Sequence, residues 1–385
     1  MFENLSEKLQ PELSEIYRYL HTIPELSFCE YKTSEYIGNK LTEYGIEFNV
    51  LLGTGIYADI KGNNSGKTVL LRADIDALPI DEKSGVDFKS KHKGCMHACG
   101  HDAHTSCLLG AAKLLNAIRD RFNGTVRIVF QPGEEGDGGA LPMINNGILN
   151  GVSAAFALHV EPLEEAGNIQ VKYGSIMASP DEFEITITGK GGHGAYPHTC
   201  IDPILTAAMI VNAYQTVVSR NIDPMVPAAV SVCSIKAGNC PNVIPDSAYI
   251  TGTARSLDNE TREKLEYTLE KIAKNTSESM GADCEFNFKK LFPPLINDKK
   301  ITDITVNAAR KLGIGVVWLE RASMAGDDFA YFSQNVPGTY FKLGVGNKKR
   351  GIIHPIHSPE FRIEESALHI GSAVLAKSAL DYLAL

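Results

Sequence analysis

Ten consecutive residues, 96–105, contain one cysteine, three histidines and one aspartate. These side chains bind borderline transition metals such as zinc. Cys99 and His101 are two positions apart, so an extended backbone would send both side chains to the same face, whereas a helix would separate them. Apolar residues then recur at helical spacing from Leu108 to Ile118. The sequence therefore predicts a strand or loop that delivers two metal ligands into a crevice and then becomes a helix.

Two other interpretations of this segment are weaker. A structural zinc site formed by Cys95, His97, Cys99 and His101 would need four ligands on one short extended segment to surround a tetrahedral ion. A disulfide between Cys95 and Cys99 is disfavoured because the eight cysteines show no framework spacing and no export signal is visible. Taken singly, His97 and His104 are ordinary surface or core histidines.

The composition indicates a globular protein with a large core. At 385 residues and 44% hydrophobic content, the length suggests two or more domains. A formal net charge of -9 without a basic run argues against a nucleic-acid partner, and an anionic substrate would need a dedicated arginine. The first 20 residues contain four glutamates and no apolar signal region, and no stretch is apolar enough to span a bilayer. We therefore expect a cytoplasmic protein without a membrane partner.

Three short apolar runs, residues 68–74, 126–131 and 154–158, read as strands with helices between them. Asp76 follows the first run, an acidic pair follows the second, and His159 follows the third. Open α/β sheets place their ligands at the carboxyl ends of the strands. These side chains should therefore converge on one crevice.

Further side chains could complete a metal enzyme. In an extended chain the carboxylates of Glu134 and Glu135 would point in different directions, so one could bind metal while the other faces a bound water. A solvated acidic loop explains the same pair equally well. At the end of an apolar strand, His159 is more natural as an uncharged ligand than as a surface residue. Near the C-terminus, either His354 or His357 could be the last ligand.

Residues 181–291 differ from the segments on either side in their predicted order of strands and helices. Their predicted order of elements, β-α-β-β-α-β, is that of a compact α+β unit. The flanking segments, 1–180 and 292–385, both show the alternating strands and helices of an α/β domain. We therefore predict a catalytic domain whose two parts are separated by an inserted domain.

Six motifs occur in a fixed order along the chain, and together they are far more specific than any one of them. On these motifs the whole chain resembles the M20 metallopeptidase family, in the amidohydrolase branch that includes N-acyl-amino-acid deacylases, hippurate hydrolase, N-acetyldiaminopimelate deacetylase and auxin-conjugate hydrolases. The motifs are RADIDALP (72–79), MHACGHD (96–102), QPGEE (131–135), ALH (157–159), GGHGA (191–195) and HSPE (357–360).

The resemblance implies an α/β fold, with a mixed-sheet zinc-peptidase-like catalytic domain and an inserted α+β lid or dimerisation domain. It also implies two divalent metal ions, which could be Zn, Mn, Co or Ni. Glu134 would be the general base, and Asp76, with Asp74 as the alternative, would orient a metal ligand from behind. The implied ligands are Cys99 as the bridge, His101 and His159 for one ion, and Glu135 and His357 for the other.

The inserted unit also contains residues to which the resemblance assigns a role. His193 would stabilise the oxyanion, often from the partner subunit of a homodimer formed through this unit. Asn242 and Arg255 match positions that hold the carbonyl or carboxylate of the substrate, and Gly326 begins a further pocket loop. Arg255 could equally be a surface ion-pair partner.

The expected function is metal-dependent hydrolysis of the amide bond of small-molecule N-acyl amino acids, such as acetyl or benzoyl derivatives. A dipeptidase or aminopeptidase of the same family is the nearest alternative, and it would recognise a free amine. A non-catalytic metal-binding protein is the alternative from another class. It would predict a broken base or a missing ligand, whereas Glu134 and all five implied ligands are present.

Overall fold

A computed structural model describes residues 2–385 of the protein. The chain divides into two compact units. The first contains the described residues up to Gly174 together with Ile296–Arg321 and Asp328–Leu385, and the second contains Ser175–Leu295 and Ala322–Asp327. The predicted domain boundaries after residues 180 and 291 stay predictions.

The elements are numbered along the chain. The strands are β1 (Asn49–Leu51), β2 (Gly55–Lys61), β3 (Thr68–Asp74), β4 (Thr125–Gln131), β5 (Val152–Glu165), β6 (Asn168–Val171), β7 (Gly174–Met177), β8 (Ser179–Thr188), β9 (Gly192–His193), β10 (Ala228–Ala237), β11 (Val243–Ile244), β12 (Ser247–Ser256), β13 (Asp283–Lys289), β14 (Leu295–Asn297), β15 (Gly315–Trp318) and β16 (Gly338–Gly346). The helices are α1 (Phe2–His21), α2 (Tyr31–Glu43), α3 (His101–Ala117), α4 (Ala140–Asn145), α5 (Pro203–Asn221), α6 (Asn259–Ser279), α7 (Lys299–Lys311), α8 (Phe329–Asn335) and α9 (Leu368–Leu383). Within the described residues, no helix is both long and apolar enough to cross a membrane.

The first unit contains an eight-stranded mixed sheet in the order β1-β2-β4-β3-β5-β16-β6-β15. Its centre is parallel, because β3 pairs in parallel with both β4 and β5, and β16 pairs in parallel with β5. Register places Asp74 beside Gln131 at the ends of β3 and β4, and Arg72 beside Ala157 within β5. The carboxyl ends of β3 and β4 therefore meet at one edge. The third predicted strand was expected to end at His159, but β5 continues to Glu165, so His159 lies within it. The predicted α/β fold with a mixed sheet is confirmed.

Helix α3 packs beside this sheet, and α1 packs against α3. In α1 the side chains of Leu13, Ile16, Tyr17 and Leu20 form one stripe at helical spacing and are almost completely buried. Full burial of such a side chain contributes about 1.5–3 kcal/mol to folding. At the end of α1, the ring of His21 contacts Asp102 in the first turn of α3, with 2.6 Å between Nδ1 and Oδ2. This buried contact ties the start of α3 to the core.

The segment before α3 turns more sharply than predicted. Helix α3 begins at His101 itself, so Cys99 and His101 do not alternate along one extended strand. Gly100 between them has a left-handed φ of 88°, and a Cβ there would lie 2.4 Å from Val160 Cγ2. Only glycine combines this backbone conformation with so close an approach. Of the predicted strand or loop, the loop is therefore the one present, and the helix begins at His101 instead of after it, because a glycine turn directs the two side chains.

The second unit is a four-stranded antiparallel sheet, in the order β10-β12-β8-β13, packed against α5 and α6. Both helices begin at an aspartate whose side chain accepts backbone N–H groups: Asp202 caps α5 and Asp258 caps α6. Along the chain the main elements follow the predicted order β-α-β-β-α-β, and two-residue strands β9 and β11 form a separate small ladder. Strand β10 lies at one edge of the main sheet.

Candidate active site

Among the described residues, two trios of candidate metal ligands contain Cys99, and Cys99, His101 and His159 form the first of them. Their candidate ligand atoms all lie within 4.8 Å of one another, and all three residues are buried. The Sγ atom of Cys99 is 3.3 Å from His159 Nε2. Cys99 precedes the glycine turn, His101 begins α3, and His159 lies within β5. Two segments about 60 residues apart therefore direct a thiol and two imidazoles at one point.

Cys99, Glu135 and His357 form the second trio, again with ligand atoms within 4.8 Å of one another. The Nε2 atom of His357 is 3.4 Å from Glu135 Oε1. The turn at His357 has a left-handed φ of 63°, and its backbone N–H donates to the carbonyl of Ala98, 2.8 Å away. His354 instead pairs with the carboxylate of Glu360 at 3.2 Å and lies outside both trios. The structure therefore brings His357, of the two candidates, to the cluster.

The donor atoms of the two trios fit bound cations. Within the part of the chain that the structure describes, His101 Nε2 and Glu135 Oε1 are buried without a hydrogen-bond partner. Buried polar atoms of this kind are rare unless an ion or water satisfies them. The ring of His159 donates through Nδ1 to the carbonyl of Val160 at 2.7 Å, which leaves Nε2 for the cluster. A thiol, imidazoles and a carboxylate are the donors that suit zinc and its neighbours.

The protonation of the cluster also bears on metal binding. Burial opposes a charge on His101, yet the carboxylates of Asp74 and Asp76 raise its pKa to about 10. Burial and the nearby carboxylates of Glu135 and Glu134 raise the pKa of the Cys99 thiol well above its usual value. Without a cation the cluster therefore retains protons on both groups. A metal ion must displace them, so binding releases protons.

Glu134 lies beside the trios in a turn that follows β4. Its carboxylate falls within 4.8 Å of ligand atoms of His101 and Glu135, and 8% of the residue is exposed. Of the two interpretations of the acidic pair, an extended chain and an acidic loop, the backbone matches the loop, because both glutamates lie in a turn. Glycine permits this turn, because Gly133 has a left-handed φ of 70° and its N–H donates to the buried carboxylate of Glu30 at 3.0 Å.

Asp76 links this turn to a metal-ligand candidate. Its Oδ1 lies 3.2 Å from His101 Nδ1, while its Oδ2 accepts the N–H of Glu135 at 2.9 Å. The hydroxyl of Ser27 also donates to Oδ2, at 2.6 Å. The alternative residue, Asp74, makes its close contact with His104 instead, at 2.5 Å. Of the two aspartates, Asp76 is thus the one that supports His101 through a hydrogen bond.

The sequence analysis missed three residues that hold this site. Ser27 and Glu30 come from the loop before α2, about 50 and 100 residues from their partners, and nothing in their local sequence marks them. His104 belongs to the histidine-rich segment, but its spacing does not separate it from an ordinary core histidine. Only the tertiary structure shows its partners.

His193 and Asn242 lie side by side within the second unit. His193 is in β9 and pairs with Val243 of β11, and the N–H of Gly194 donates to the Asn242 carbonyl at 2.8 Å. The N–H of Ala195 donates to His193 Nδ1 at 3.1 Å, so the ring proton is on Nε2 and that atom is a donor. The roles assigned to both residues stay predictions.

Arg255 and Gly326 also lie in the second unit. The guanidinium of Arg255 donates to the carbonyl oxygens of Met324 and Ala254, at 3.2 and 3.1 Å. Burial lowers its pKa. Gly326 packs closely on Pro180, since a Cβ at this position would lie 2.7 Å from the Pro180 Cγ. Their assignment to substrate binding likewise stays a prediction.

Comparison with known proteins places the chain in a family. Residues 70–381 match Peptidase family M20/M25/M40. The chain is 41% identical over 391 residues to Thermostable carboxypeptidase 2 of Saccharolobus solfataricus, covering 98% of this chain and 99% of that protein. It is 42% identical over 365 residues to N-acetylcysteine deacetylase of Bacillus subtilis, covering 94% of each. The crystal structure of the Bacillus subtilis YXEP protein, a dinuclear metal binding peptidase from the M20 family, superimposes with a TM-score of 0.88 at 38% identity, covering 98% of this chain and 99% of that one.

The chain therefore belongs to peptidase family M20/M25/M40, and it carries a cluster of candidate metal ligands. Within the family it is a metal-dependent amidohydrolase that acts on linear amides. The predicted family, branch and class of enzyme are confirmed.

Proposed function

We propose that this enzyme hydrolyses the amide bond of N-acyl amino acids, with Glu134 as the general base. The observation that carries the proposal is the position of Cys99 in both trios, with the Glu134 carboxylate beside His101 and Glu135. A shared ligand between two donor sets is what a two-metal hydrolase needs. The relative named N-acetylcysteine deacetylase supports the choice of an N-acyl amino acid as substrate.

The proposed metal ligands are the two trios. Cys99, His101 and His159 would hold one divalent ion, and Cys99, Glu135 and His357 would hold the other, with Zn, Mn, Co and Ni as candidates. Such ions polarise a carbonyl oxygen and lower the pKa of a bound water. Asp76 would keep His101 and the Glu135 backbone in place through its two carboxylate oxygens.

Glu134 would carry out the proton transfers of the hydrolysis. Its carboxylate would accept a proton from the attacking water and return it to the amine that leaves, so the products are a carboxylic acid and an amino acid. His193 is the proposed oxyanion donor, through its Nε2 proton. Asn242 and Gly326 are proposed substrate contacts. Arg255 is the proposed carboxylate clamp, since among the described residues its hydrogen bonds go to carbonyl and hydroxyl oxygens and not to a carboxylate.

A substrate panel tests this function. We expect kcat/KM for N-acetyl or N-benzoyl amino acids to exceed that for free dipeptides by at least about tenfold, because a charged amine would have to be desolvated where the acyl group binds. Activity would be measured as released amino acid for matched pairs that share the same C-terminal residue. A preference for free dipeptides would contradict the proposal and favour the dipeptidase or aminopeptidase alternative.

The carboxypeptidase relative favours one further candidate, the removal of a C-terminal residue from a longer chain. N-benzoylglycine and N-benzoylglycyl dipeptides separate the two activities, because the bond cleaved is read from the products. Release of benzoate from the longer substrate identifies a deacylase. Release of only the C-terminal amino acid from the longer substrate identifies a carboxypeptidase.

We also propose that the protein is a homodimer that associates through its second unit. Strand β10 lies at the edge of the four-stranded sheet, and an unpaired edge is a template for another strand. Helix α5, which packs beside β10, exposes Ile204, Leu205 and Met209. An edge strand next to exposed apolar side chains is the kind of surface that a second copy can cover.

We also propose a cytoplasmic location. All eight cysteines are free, as is usual in a reducing compartment.

The double variant Leu205→Lys/Ile235→Lys tests the dimer. Leu205 is 51% exposed in α5 and Ile235 is 51% exposed in β10, so charges there should block association without disturbing the core. We expect light scattering to show the mass halved at an unchanged melting temperature. Tyr267→Lys, at a 62% exposed position in α6, should remain dimeric. A wild-type chain that is monomeric would contradict the proposal.

A further inference from the structure

We propose that His104 is a positioning residue for the metal ligand His159, and that Asp74 fixes the tautomer His104 needs for this role. The inference rests on the proposed metal centre and adds to it two residues that bind no ion themselves. It starts from the contacts of the His104 ring, which is completely buried.

Both ring nitrogens of His104 have partners. The backbone N–H of Val160 donates to His104 Nε2 at 2.9 Å. Because a backbone N–H can only donate, Nε2 must be unprotonated, and the ring proton lies on Nδ1. That proton points to Asp74 Oδ1, 2.5 Å away. His104 is therefore neutral, has a defined tautomer, and has no nitrogen left for a metal ion.

The peptide unit held by His104 adjoins the proposed ligand. Val160 follows His159, and its carbonyl accepts the Nδ1 proton of the His159 ring at 2.7 Å. That hydrogen bond leaves His159 Nε2 facing Cys99 Sγ, 3.3 Å away. Val160 thus orients the His159 ring through its carbonyl, and His104 holds Val160 in place through its N–H. The rings of His104 and His159 also touch, with their centroids 4.5 Å apart.

The end of the β3–β5 ladder explains why a side chain is needed at this point. The pairing between β3 and β5 runs only as far as Arg72 opposite Ala157. His159 and Val160 lie beyond that last pair, where β3 no longer supplies backbone acceptors to β5. The His104 ring provides the acceptor for the buried N–H of Val160.

Asp74 is held rigidly enough to fix the tautomer. Its Oδ2 accepts a hydrogen bond from Arg72 Nη1 at 2.6 Å, and its backbone carbonyl accepts one from Thr105 Oγ1 at 3.2 Å. The guanidinium of Arg72 is fully buried and also donates to Gln131 Oε1 at 2.9 Å. A guanidinium N–H can only donate, so Asp74 accepts from Arg72 at Oδ2 and is left to accept the His104 proton at Oδ1.

The two histidines of the first trio are thus supported in different ways. Asp76 contacts His101 directly, at 3.2 Å. Asp74 acts on His159 indirectly, through the His104 imidazole and the backbone of Val160. Carboxylates behind metal-binding histidines set ring orientation and basicity, and their loss typically weakens metal binding about 10–100-fold. We expect an effect of that size on the ion that His159 holds, with little change at the other.

Zinc binding to the intact chain tests the inference. The wild-type protein and its variants are stripped with a chelator and dialysed against buffered Zn²⁺, and bound zinc per chain is measured by elemental analysis. We expect two ions in the wild type. In His104→Ala we expect one ion of wild-type affinity and one bound about 10–100-fold more weakly. Excess Zn²⁺ should restore its turnover, which a general loss of folding would not allow.

Three further variants separate positioning from packing. His104→Gln should bind zinc like the wild type, because an amide can donate to Asp74 and accept from Val160. Asp74→Asn should resemble His104→Ala, because an amide group cannot accept from both Arg72 and His104 in the same way. His97→Ala removes another buried imidazole from the same segment, one without hydrogen-bond partners among the described residues, and should keep both ions.

The possible outcomes distinguish this inference from the proposed centre. Two ions of unchanged affinity in His104→Ala, or equal losses in His104→Ala and His97→Ala, would overturn the positioning role and leave the metal centre intact. A wild-type chain that binds fewer than two zinc ions would overturn the proposed centre, and the inference with it.

Discussion

The Glu134→Gln variant is expected to keep both metal ions and to lose turnover by about 10²–10⁴-fold, the usual contribution of a general acid–base group. Glutamine has nearly the same shape as glutamate but cannot accept a proton from water. In the structure the Glu134 carboxylate lies within 4.8 Å of ligand atoms of His101 and Glu135, although it belongs to neither of the two trios that share Cys99. The substitution therefore removes the proposed base and leaves the proposed ligands unchanged.

Its neighbour provides the matched control. Glu135→Gln makes the same chemical change one residue later, but it alters a proposed ligand whose Oε1 lies 3.4 Å from His357 Nε2. We expect this variant to lose metal and to regain some turnover in excess metal, whereas Glu134→Gln should gain nothing. Turnover and metal content would be measured on the same preparations. Near-normal turnover of Glu134→Gln would refute its assignment as the base.

The convergence of the site could be predicted from the sequence because it follows from sheet geometry. Parallel strands align their carboxyl ends, and the register of β3 with β4 sets Asp74 beside Gln131. The runs that ended in Asp76, the acidic pair and His159 therefore had to meet once the sheet was parallel. This argument needs only that the strands run parallel, which the helices predicted between them indicate; the length of β5 was not predicted, since it continues past His159 to Glu165.

The supporting contacts could not be predicted, because they depend on backbone turns and tertiary pairings. The direction of Cys99 and His101 is set by the left-handed turn at Gly100, which fits against Val160. Glu30 is completely buried and accepts the N–H of Gly133, yet a glutamate before a helix normally lies on the surface. The choice of His357 over His354 likewise depends on a left-handed residue that no local pattern marks.

The number of donor sets to which a residue belongs indicates how many ions its substitution should affect. A residue that belongs to one donor set should affect one ion when it is replaced, whereas a residue shared by two sets should affect both. In the described part of the chain, Cys99 is the only residue common to the trio with His101 and His159 and the trio with Glu135 and His357. Its substitution is therefore the most demanding test of the proposed centre.

Cys99→Ser is expected to lose both ions under dialysis that leaves the wild type with two, because a serine hydroxyl stays protonated and is a poor ligand. Since a bound cation supplies several kcal/mol of transition-state stabilisation, turnover should fall on the order of 10³-fold. His357→Ala should lose one ion only. Cys95→Ser, which changes a buried thiol outside both trios, should lose neither. Retention of one tightly bound ion in Cys99→Ser would show that the two sets do not depend on a common thiolate.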